Sequence, residues 1–214
     1  MSSDFLLPIL YSFRRCPYAM RARLALMSSG IQVELREILL RDKAPEFLAS
    51  SPKGTVPILV TQFEVIEESF DVMQWALRQA DPEHWLLMPA AGYDWIKRCD
   101  GPFKQALDHI KYSVRFPDLD PVQERIHASN FLKDLDNQIS GSTWIFGTEC
   151  TLADMALLPF IRQFANIDRV WFDQQTWPNL QCWLAQFMAS DRFTNIMVKQ
   201  NKWAAGDAAV LFPH

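Results

Sequence analysis

The stretch Tyr11-Ser12-Phe13-Arg14-Arg15-Cys16-Pro17-Tyr18-Ala19 decides how the chain begins to fold. It lies between an apolar run that ends at Tyr11 and a helix-like stretch that closes at Gly30. A short apolar run is typical of a strand. Proline is favoured at the first position of a helix, and glycine just after its last. The sequence therefore predicts a strand over Leu7–Tyr11, a helix over Pro17–Ser29, and Cys16 at the N-cap of that helix.

Cys16 is the candidate nucleophile. At an N-cap its sulfur faces unpaired backbone N–H groups and the positive end of the helix dipole, and Arg14 and Arg15 add positive charge nearby. These effects favour the thiolate, which is the reactive form. The alternative is a cysteine that packs as a small apolar residue or serves as a weak cap. Because Ala19 stands where a dithiol oxidoreductase carries its second cysteine, a mixed disulfide with an external thiol is the expected intermediate.

Composition and charge exclude several classes of protein. Of the 214 residues, 49% are hydrophobic and 21% charged, and the net charge is −4. Without a basic block no nucleic-acid partner is expected, and without an apolar stretch of roughly 18 residues no membrane span is expected. The start Met1-Ser2-Ser3-Asp4 lacks the regions of a signal peptide. Four scattered cysteines show no metal-ligand spacing, so we expect a cytoplasmic protein with reduced thiols and no metal.

The first 80 residues alternate between strand and helix patterns in the order βαβαββα. After the first strand and helix, the expected elements are a strand over Gln32–Arg36, a helix over Lys43–Ala49, strands over Pro57–Thr61 and Glu64–Glu67, and a helix over Ser69–Gln79. Residues 81–92 carry two prolines and a glycine and have no clear period, so we interpret them as an interdomain linker.

Everything after the linker is predicted to be helical. One long pattern runs over Tyr93–Val114 and is expected to kink at Gly101-Pro102. The other helices are expected over Pro121–Ile139, Thr151–Ala165 and Pro178–Ala189. In addition, Thr151 and Asp154 have the spacing of a capping box before an apolar run, and we assign them to folding, not catalysis.

Four motifs occur in one order along nearly the whole chain: Cys16-Pro17-Tyr18, Ser51-Pro52-Lys53-Gly54-Thr55-Val56-Pro57, Glu68-Ser69, and Trp144-Ile145-Phe146-Gly147 with Thr151-Leu152-Ala153-Asp154. Together they resemble the cytosolic glutathione S-transferase superfamily. The resemblance implies an α/β plus all-α fold, with a thioredoxin-like domain over residues 1–80, a linker over 81–92 and an all-helical domain over 93–214. A cysteine in place of tyrosine or serine resembles the omega-like and glutaredoxin-2-like members, and Ala19 favours the omega-like monothiol type.

The resemblance also implies a site for glutathione as co-substrate. Val56-Pro57 resembles the family's cis-proline turn, which leaves the Val56 backbone free to pair with the cysteinyl backbone of glutathione. Ser69 is expected to cap a helix whose N-terminus holds the γ-glutamyl carboxylate, while Glu68 pairs with the ammonium group. Lys53 reaches the glycyl carboxylate. The alternatives are a trans proline, a cap without a ligand, and solvated side chains for Glu68 and Lys53.

Phe13, Arg14 and Tyr18 flank the thiol and are the candidate lining of a second-substrate pocket, although simple packing is the alternative. The function that follows is a glutathione-dependent thiol transferase that removes glutathione from mixed disulfides or reduces dehydroascorbate. The alternatives are glutathione conjugation to small electrophiles, and a non-catalytic regulatory or scaffolding protein. The resemblance further implies a homodimer. The other cysteines, Cys99, Cys150 and Cys182, are interpreted as structural.

Overall fold

The computed structural model describes residues 7–213, which form two compact units. One unit comprises the chain up to Glu83 together with the segment from Asp191 onward, and the other comprises His84–Ser190. Within 7–213 no helix combines the length and apolar character needed to cross a membrane. The start of the chain, on which the expectation about a signal peptide rests, lies outside the described residues.

The first unit is built on a five-stranded mixed sheet of order β4-β3-β1-β2-β5. The strands are β1 (Ile9–Ser12), β2 (Val33–Glu37), β3 (Ile58–Val60), β4 (Val65–Ile66) and β5 (Leu211–Phe212). β1 runs parallel to β2 and antiparallel to β3, which pairs antiparallel with β4. The predicted order βαβαββα is confirmed, and the central position of β1 brings its carboxyl end, and hence the loop to Cys16, to the middle of the sheet edge.

Helix α1 (Pro17–Ser29) has the predicted bounds. Pro17 occupies the first helical position, and Gly30 ends the helix in the left-handed conformation at φ 70°, which glycine adopts without a steric penalty. The other helices of this unit are α2 (Pro45–Ser50), α3 (Ser69–Gln79) and α10 (Asp191–Ile196). α1 packs against both α3 and α10, and nearly all of its side chains are buried.

The second unit contains only helices and turns among its named elements. After a 3₁₀ turn at Trp85–Leu87, its helices are α4 (Ala91–Arg98), α5 (Lys104–Lys111), α6 (Pro121–Ile139), α7 (Leu152–Ala165), α8 (Arg169–Asp173) and α9 (Pro178–Met188). The predicted kink is confirmed, because Gly101 has non-helical angles (φ −92°, ψ −105°) immediately before Pro102 and separates α4 from α5.

Asp154 organises the centre of the second unit. It is completely buried at the start of α7 and forms a capping box with Thr151. Its carboxylate accepts hydrogen bonds from the Thr151 N–H at 2.8 Å, the Ile145 N–H at 2.9 Å and the Trp183 indole N–H at 3.0 Å. Burial raises the pKa of Asp154, while these donors oppose that shift by stabilising the carboxylate. One side chain therefore ties the helix start to the preceding loop and to α9.

Several expectations about the elements need correction. The segment after Asp191 was expected to be helical, but β5 pairs with β2 through Val33 opposite Phe212. A two-residue strand is too short to give a periodic pattern in the sequence. It forms because the chain pairs with the edge of β2, which the sequence does not show. Helices α8 and α10, with five and six residues, were missed for the same reason.

Replacing Asp154 by asparagine is expected to lower the free energy of unfolding by about 2–3 kcal/mol, since an amide nitrogen faces donors that lose their acceptor. Urea unfolding followed by tryptophan fluorescence measures this change. Asp118→Asn is the matched control, because Asp118 is exposed and such substitutions stay within about 0.5 kcal/mol. Equal stability of the two variants would contradict the role assigned to Asp154.

Candidate active site

Cys16 lies at the N-cap of α1 with extended backbone angles (φ −72°, ψ 124°). Its N–H donates to the Phe13 carbonyl at 3.0 Å, and its own carbonyl accepts from the Met20 N–H at 2.9 Å. The side chain occupies the predicted N-cap position but makes no capping hydrogen bond. The sulfur instead lies 3.7 Å from the Val56 carbonyl oxygen, toward which the thiol is directed.

The Val56–Pro57 peptide bond is cis, as expected. Val56 is almost fully buried and belongs to the same apolar cluster as Tyr11, Ala19 and Phe47, against which Cys16 packs. The sequence placed these positions 40 residues apart, and the fold brings the backbone of the second beside the sulfur of the first. Ala19 is completely buried in this cluster, so the position of a second thiol is filled by a packed methyl group.

A buried guanidinium lies behind the loop that leads to Cys16. Arg23, on α1, is 2% exposed. It donates to the Ser12 hydroxyl and, at 2.6 Å, to the Arg14 carbonyl, while its Nε has no partner among the described residues. Burial lowers the pKa of Arg23 to about 10, and the charges of Glu37 and of a Cys16 thiolate oppose that shift. The group is therefore charged at neutral pH, and it places a positive charge near Cys16.

Glu37 completes this cluster at the end of β2. Its carboxylate accepts the Arg14 N–H at 2.8 Å. Burial raises the pKa of Glu37, and the Arg14 hydrogen bond and the charges of Arg23 and Arg14 oppose the shift. Sequence reasoning missed both Arg23 and Glu37. The available signal was Arg23 itself, a charged residue in a largely apolar helix sequence. Because a buried arginine is nearly always paired, it indicated that an acidic partner lies nearby.

Lys53 and Glu68 are brought together by the fold, and Ser69 directly follows Glu68 in the chain. The Lys53 ammonium lies 3.2 Å from Glu67 and 3.4 Å from Glu68, and hydrogen bonding to Glu67 raises the pKa of Lys53. Two hydrogen bonds lower the pKa of Glu67. The larger effect comes from the Ser51 hydroxyl and the smaller one from Lys53. Glu67, which the sequence analysis did not single out, is thus the best-held carboxylate of this group.

The expected capping by Ser69 is wrong. The chain stays extended through Glu68 (φ −91°, ψ 131°), so Glu68 occupies the N-cap and Ser69 is the first residue inside α3. The Glu68 side chain forms no capping bond and points away from the core with 70% of its surface exposed. Ser69 is 4% exposed. The start of α3 thus presents a buried hydroxyl beside a solvent-facing carboxylate.

Two cavities lie near different groups of the predicted site residues. The larger, of about 560 Å³, is lined by Lys53, Glu67 and Glu68 together with residues of β4 and the outer face of α3, and Cys16 is not among its lining residues. A smaller one, of about 180 Å³, is lined by Phe13 and Arg14 but not by Tyr18, whose ring lies near the Arg21 guanidinium. The structure therefore joins two of the three residues expected for a second-substrate pocket.

None of the four cysteines is joined to another in a disulfide. Cys99 is buried, which fits a packing role, whereas Cys182 is exposed and does not. Among residues 7–213 no three histidine, cysteine or carboxylate side chains form a group suited to a metal ion. Cys16 is the one whose sulfur is directed at a cis-proline turn beside a buried cation.

A mixed sheet with parallel β1 and β2, a helix starting at a cysteine, and a cis-proline turn facing that cysteine define a thioredoxin-like domain, followed here by an all-helical unit. The sequence matches the N-terminal domain model of glutathione S-transferases over residues 10–84 and the C-terminal domain model over residues 93–186. A zeta-class glutathione S-transferase of Euphorbia esula is 31% identical over 186 residues, covering 80% of this chain and 81% of the relative. The chain belongs to the glutathione S-transferase family.

Other relatives spread across classes. Omega-1 glutathione S-transferase of Rattus norvegicus is 39% identical over 106 residues, which cover 49% of this chain and 39% of that protein. A glutathione transferase family member from Pseudomonas fluorescens, whose structure contains two bound glutathione molecules, superposes with a TM-score of 0.75 at 20% identity over 92% of this chain and 94% of that one. These relatives belong to different classes, so the comparisons identify the family but not the class within it.

Removing the Arg23 charge is expected to reduce the thiolate fraction of Cys16. Arg23→Met, which keeps an unbranched side chain, should slow alkylation by iodoacetamide at pH 7 roughly three- to tenfold, because the thiolate is the form that reacts. Peptide mass spectrometry following Cys16 alone measures the rate. Arg23→Lys, which keeps the charge, should have an alkylation rate between those of the wild-type protein and Arg23→Met. Circular dichroism checks that each variant is folded. Wild-type alkylation rates in a folded Arg23→Met protein would contradict the expectation.

Proposed function

We propose that the protein is a glutathione-dependent thiol transferase of the cysteine, omega-like type, acting on mixed disulfides. The observation that carries the proposal is the Cys16 sulfur, 3.7 Å from the Val56 carbonyl and electrostatically coupled to buried Arg23. A cation in a site of low dielectric stabilises the thiolate, which is the attacking species in thiol–disulfide exchange. A tyrosine or serine at this position cannot form a mixed disulfide.

The proposed reaction has two exchange steps. The Cys16 thiolate attacks the glutathionyl sulfur of a mixed disulfide, forms a disulfide between Cys16 and glutathione, and releases the other thiol as a thiolate that takes a proton from water. A glutathione thiolate then attacks the glutathionyl sulfur, yields glutathione disulfide and restores the Cys16 thiolate. Since Ala19 offers no second thiol, the second step needs an external reductant.

The glutathione site follows from the resemblance and from the geometry. The Val56 backbone would pair with the cysteinyl backbone of glutathione beside the Cys16 sulfur. Ser69 and the N-terminus of α3 would hold the γ-glutamyl carboxylate, and Glu68 its ammonium group. Lys53 lies between Glu67 and Glu68 with 57% of its side chain exposed. It must therefore loosen one of these pairs to meet the glycyl carboxylate.

Glutathione conjugation is the second candidate, because relatives of several classes match this chain. Conjugation requires a hydroxyl donor to the glutathione sulfur, whereas a protein thiolate repels that anion and competes for the electrophile. A non-catalytic scaffold is the third, and it has no chemical need for the Cys16, Val56 and Arg23 arrangement. Homodimer formation stays a prediction from the resemblance, and light scattering measures it. A cytoplasmic location stays a prediction from the scattered cysteines.

Replacing Cys16 by serine is expected to abolish turnover of a glutathione mixed disulfide, since an oxygen cannot form the intermediate. Activity coupled to glutathione reductase measures the loss. Treatment of the wild-type protein with glutathione disulfide should add one glutathione, and peptide mass spectrometry should place it on Cys16. The matched control is Cys182→Ser, because Cys182 is also accessible but lies in the helical unit. Turnover that persists in Cys16→Ser, or that falls equally in Cys182→Ser, would rule out the mechanism.

Ser69→Ala and Glu68→Ala are expected to weaken glutathione binding. The buried Ser69 hydroxyl should contribute about 1.5–3 kcal/mol as a hydrogen bond to a carboxylate, and exposed Glu68 closer to 1 kcal/mol. Calorimetric titration with the non-reactive S-methylglutathione measures both changes. Glu149→Ala, an exposed carboxylate of the other unit, should bind like wild type. Unchanged affinity in both test variants would move the γ-glutamyl site elsewhere.

A further inference from the structure

The cavity of about 180 Å³ beside the loop to Cys16 is not accounted for by glutathione. Three segments line it: residues 13–15 of the loop, residues 37–39 at the end of β2, and the segment after α10 through Lys199, Gln200 and Lys202. All of them belong to the same unit. The loop that forms one wall leads into the nucleophile, since Cys16 directly follows Arg15 and its N–H donates to the Phe13 carbonyl.

The segment after α10 is held firmly against the sheet. The Trp203 N–H donates to the Glu37 carbonyl at 2.9 Å, and the Arg36 guanidinium stacks 4.2 Å from the Trp203 ring. Lys202 forms an ion pair with Asp42, and the Arg14 guanidinium donates to the Met197 carbonyl at 3.4 Å. The cavity is therefore a built feature of this unit, with its walls tied to β2 and to the loop.

Positive charge dominates the lining. Arg14, Arg15, Lys199 and Lys202 all line the cavity, and Glu37 is its one acidic lining residue. The Glu37 carboxylate already accepts the Arg14 N–H and faces the charge of Arg23, while Asp42 offsets only Lys202. The chain as a whole has a net charge of −4, so this concentration of cations runs against the average charge of the protein.

We propose that this cavity binds the carboxylate of the departing thiol, so that the preferred substrates are glutathione mixed disulfides of small acidic thiols. This inference rests on the proposed thiol transferase function. As Cys16 takes the glutathionyl group, the sulfur–sulfur bond of the substrate breaks and its electron pair leaves with the acidic thiol. The cations of the lining then hold the carboxylate of the acidic thiol, which favours substrates that carry this charge.

The size of the cavity limits the ligand. At about 180 Å³ it is smaller than the pockets that hold whole drug-sized molecules, and it suits a carboxylate with two or three carbons. Phe13 contributes apolar lining for the carbon atoms of such a ligand. The Arg15 guanidinium lies 5.8 Å from the centre of the Phe13 ring. Lys199 and Arg15 are exposed at the rim, where charges chiefly affect the rate of association and the choice of partner.

The test compares two substrates that differ by one charge: the glutathione mixed disulfides of 3-mercaptopropionate and of 3-mercaptopropionamide. At low ionic strength kcat/KM should be roughly tenfold higher for the acid, and the preference should shrink with added salt. Lys199→Gln and Arg15→Gln should each lower the ratio of the two kcat/KM values. Lys133→Gln, the same change at an exposed position of the other unit, should keep the wild-type ratio.

A binding measurement separates failure of this inference from failure of the proposed function. The thioethers 3-(methylthio)propionate and its amide cannot exchange, so NMR titration of the full wild-type chain reports binding alone. The acid, but not the amide, should shift the backbone amide signals of Arg15 and Lys199. If neither disulfide is turned over, the proposed function fails. The NMR shifts of Arg15 and Lys199 still show in that case whether the cavity binds a carboxylate. Equal shifts with both thioethers, or equal kcat/KM for both disulfides in all proteins, would overturn the inference.

Discussion

The Arg23 guanidinium, buried between β1 and α1, is the interaction on which the candidate site depends. It binds the Ser12 hydroxyl at the end of the strand and the Arg14 carbonyl in the following loop, so it holds the chain in place two residues before Cys16. A buried charge is costly unless it is paired. Here Glu37 is the carboxylate that faces it, and Cys16 also lies within range of its charge. The arrangement that pairs Arg23 therefore also places a positive charge near the candidate nucleophile.

Two features of different kinds lie next to the chain around Cys16. The cis-proline turn presents the Val56 carbonyl to the sulfur, an arrangement of backbone that suits a peptide-like ligand. The loop before Cys16 and the segment before β5 present side-chain cations around a small cavity. A mixed disulfide with a peptide part and an acidic part is the kind of substrate that these two features together would suit.

Local signals predicted much of this framework. Pro17 and Gly30 marked the two ends of α1 because each acts through its own backbone preference. Contacts that join distant segments could not be predicted. The N-terminus of α9 has no cap of its own, and the Leu180 N–H donates instead to Asp136 of α6 at 2.8 Å. For the same reason the sequence could not show that Glu68, and not Ser69, precedes the first turn of α3.

Local sequence patterns predicted the order of the elements as far as Gln79, the kink at Gly101, the cysteine at the start of α1 and the family to which the chain belongs. These properties follow from hydrophobic periodicity, from glycine and proline, and from motifs in order, all of which are local along the chain. Only the folded structure shows that Arg23 is buried near Cys16. It also shows that the segment around Lys199 lines a cavity together with the loop before Cys16. Such placements depend on which segments meet in space, because the energy of a charge is set by its surroundings and not by its neighbours in sequence.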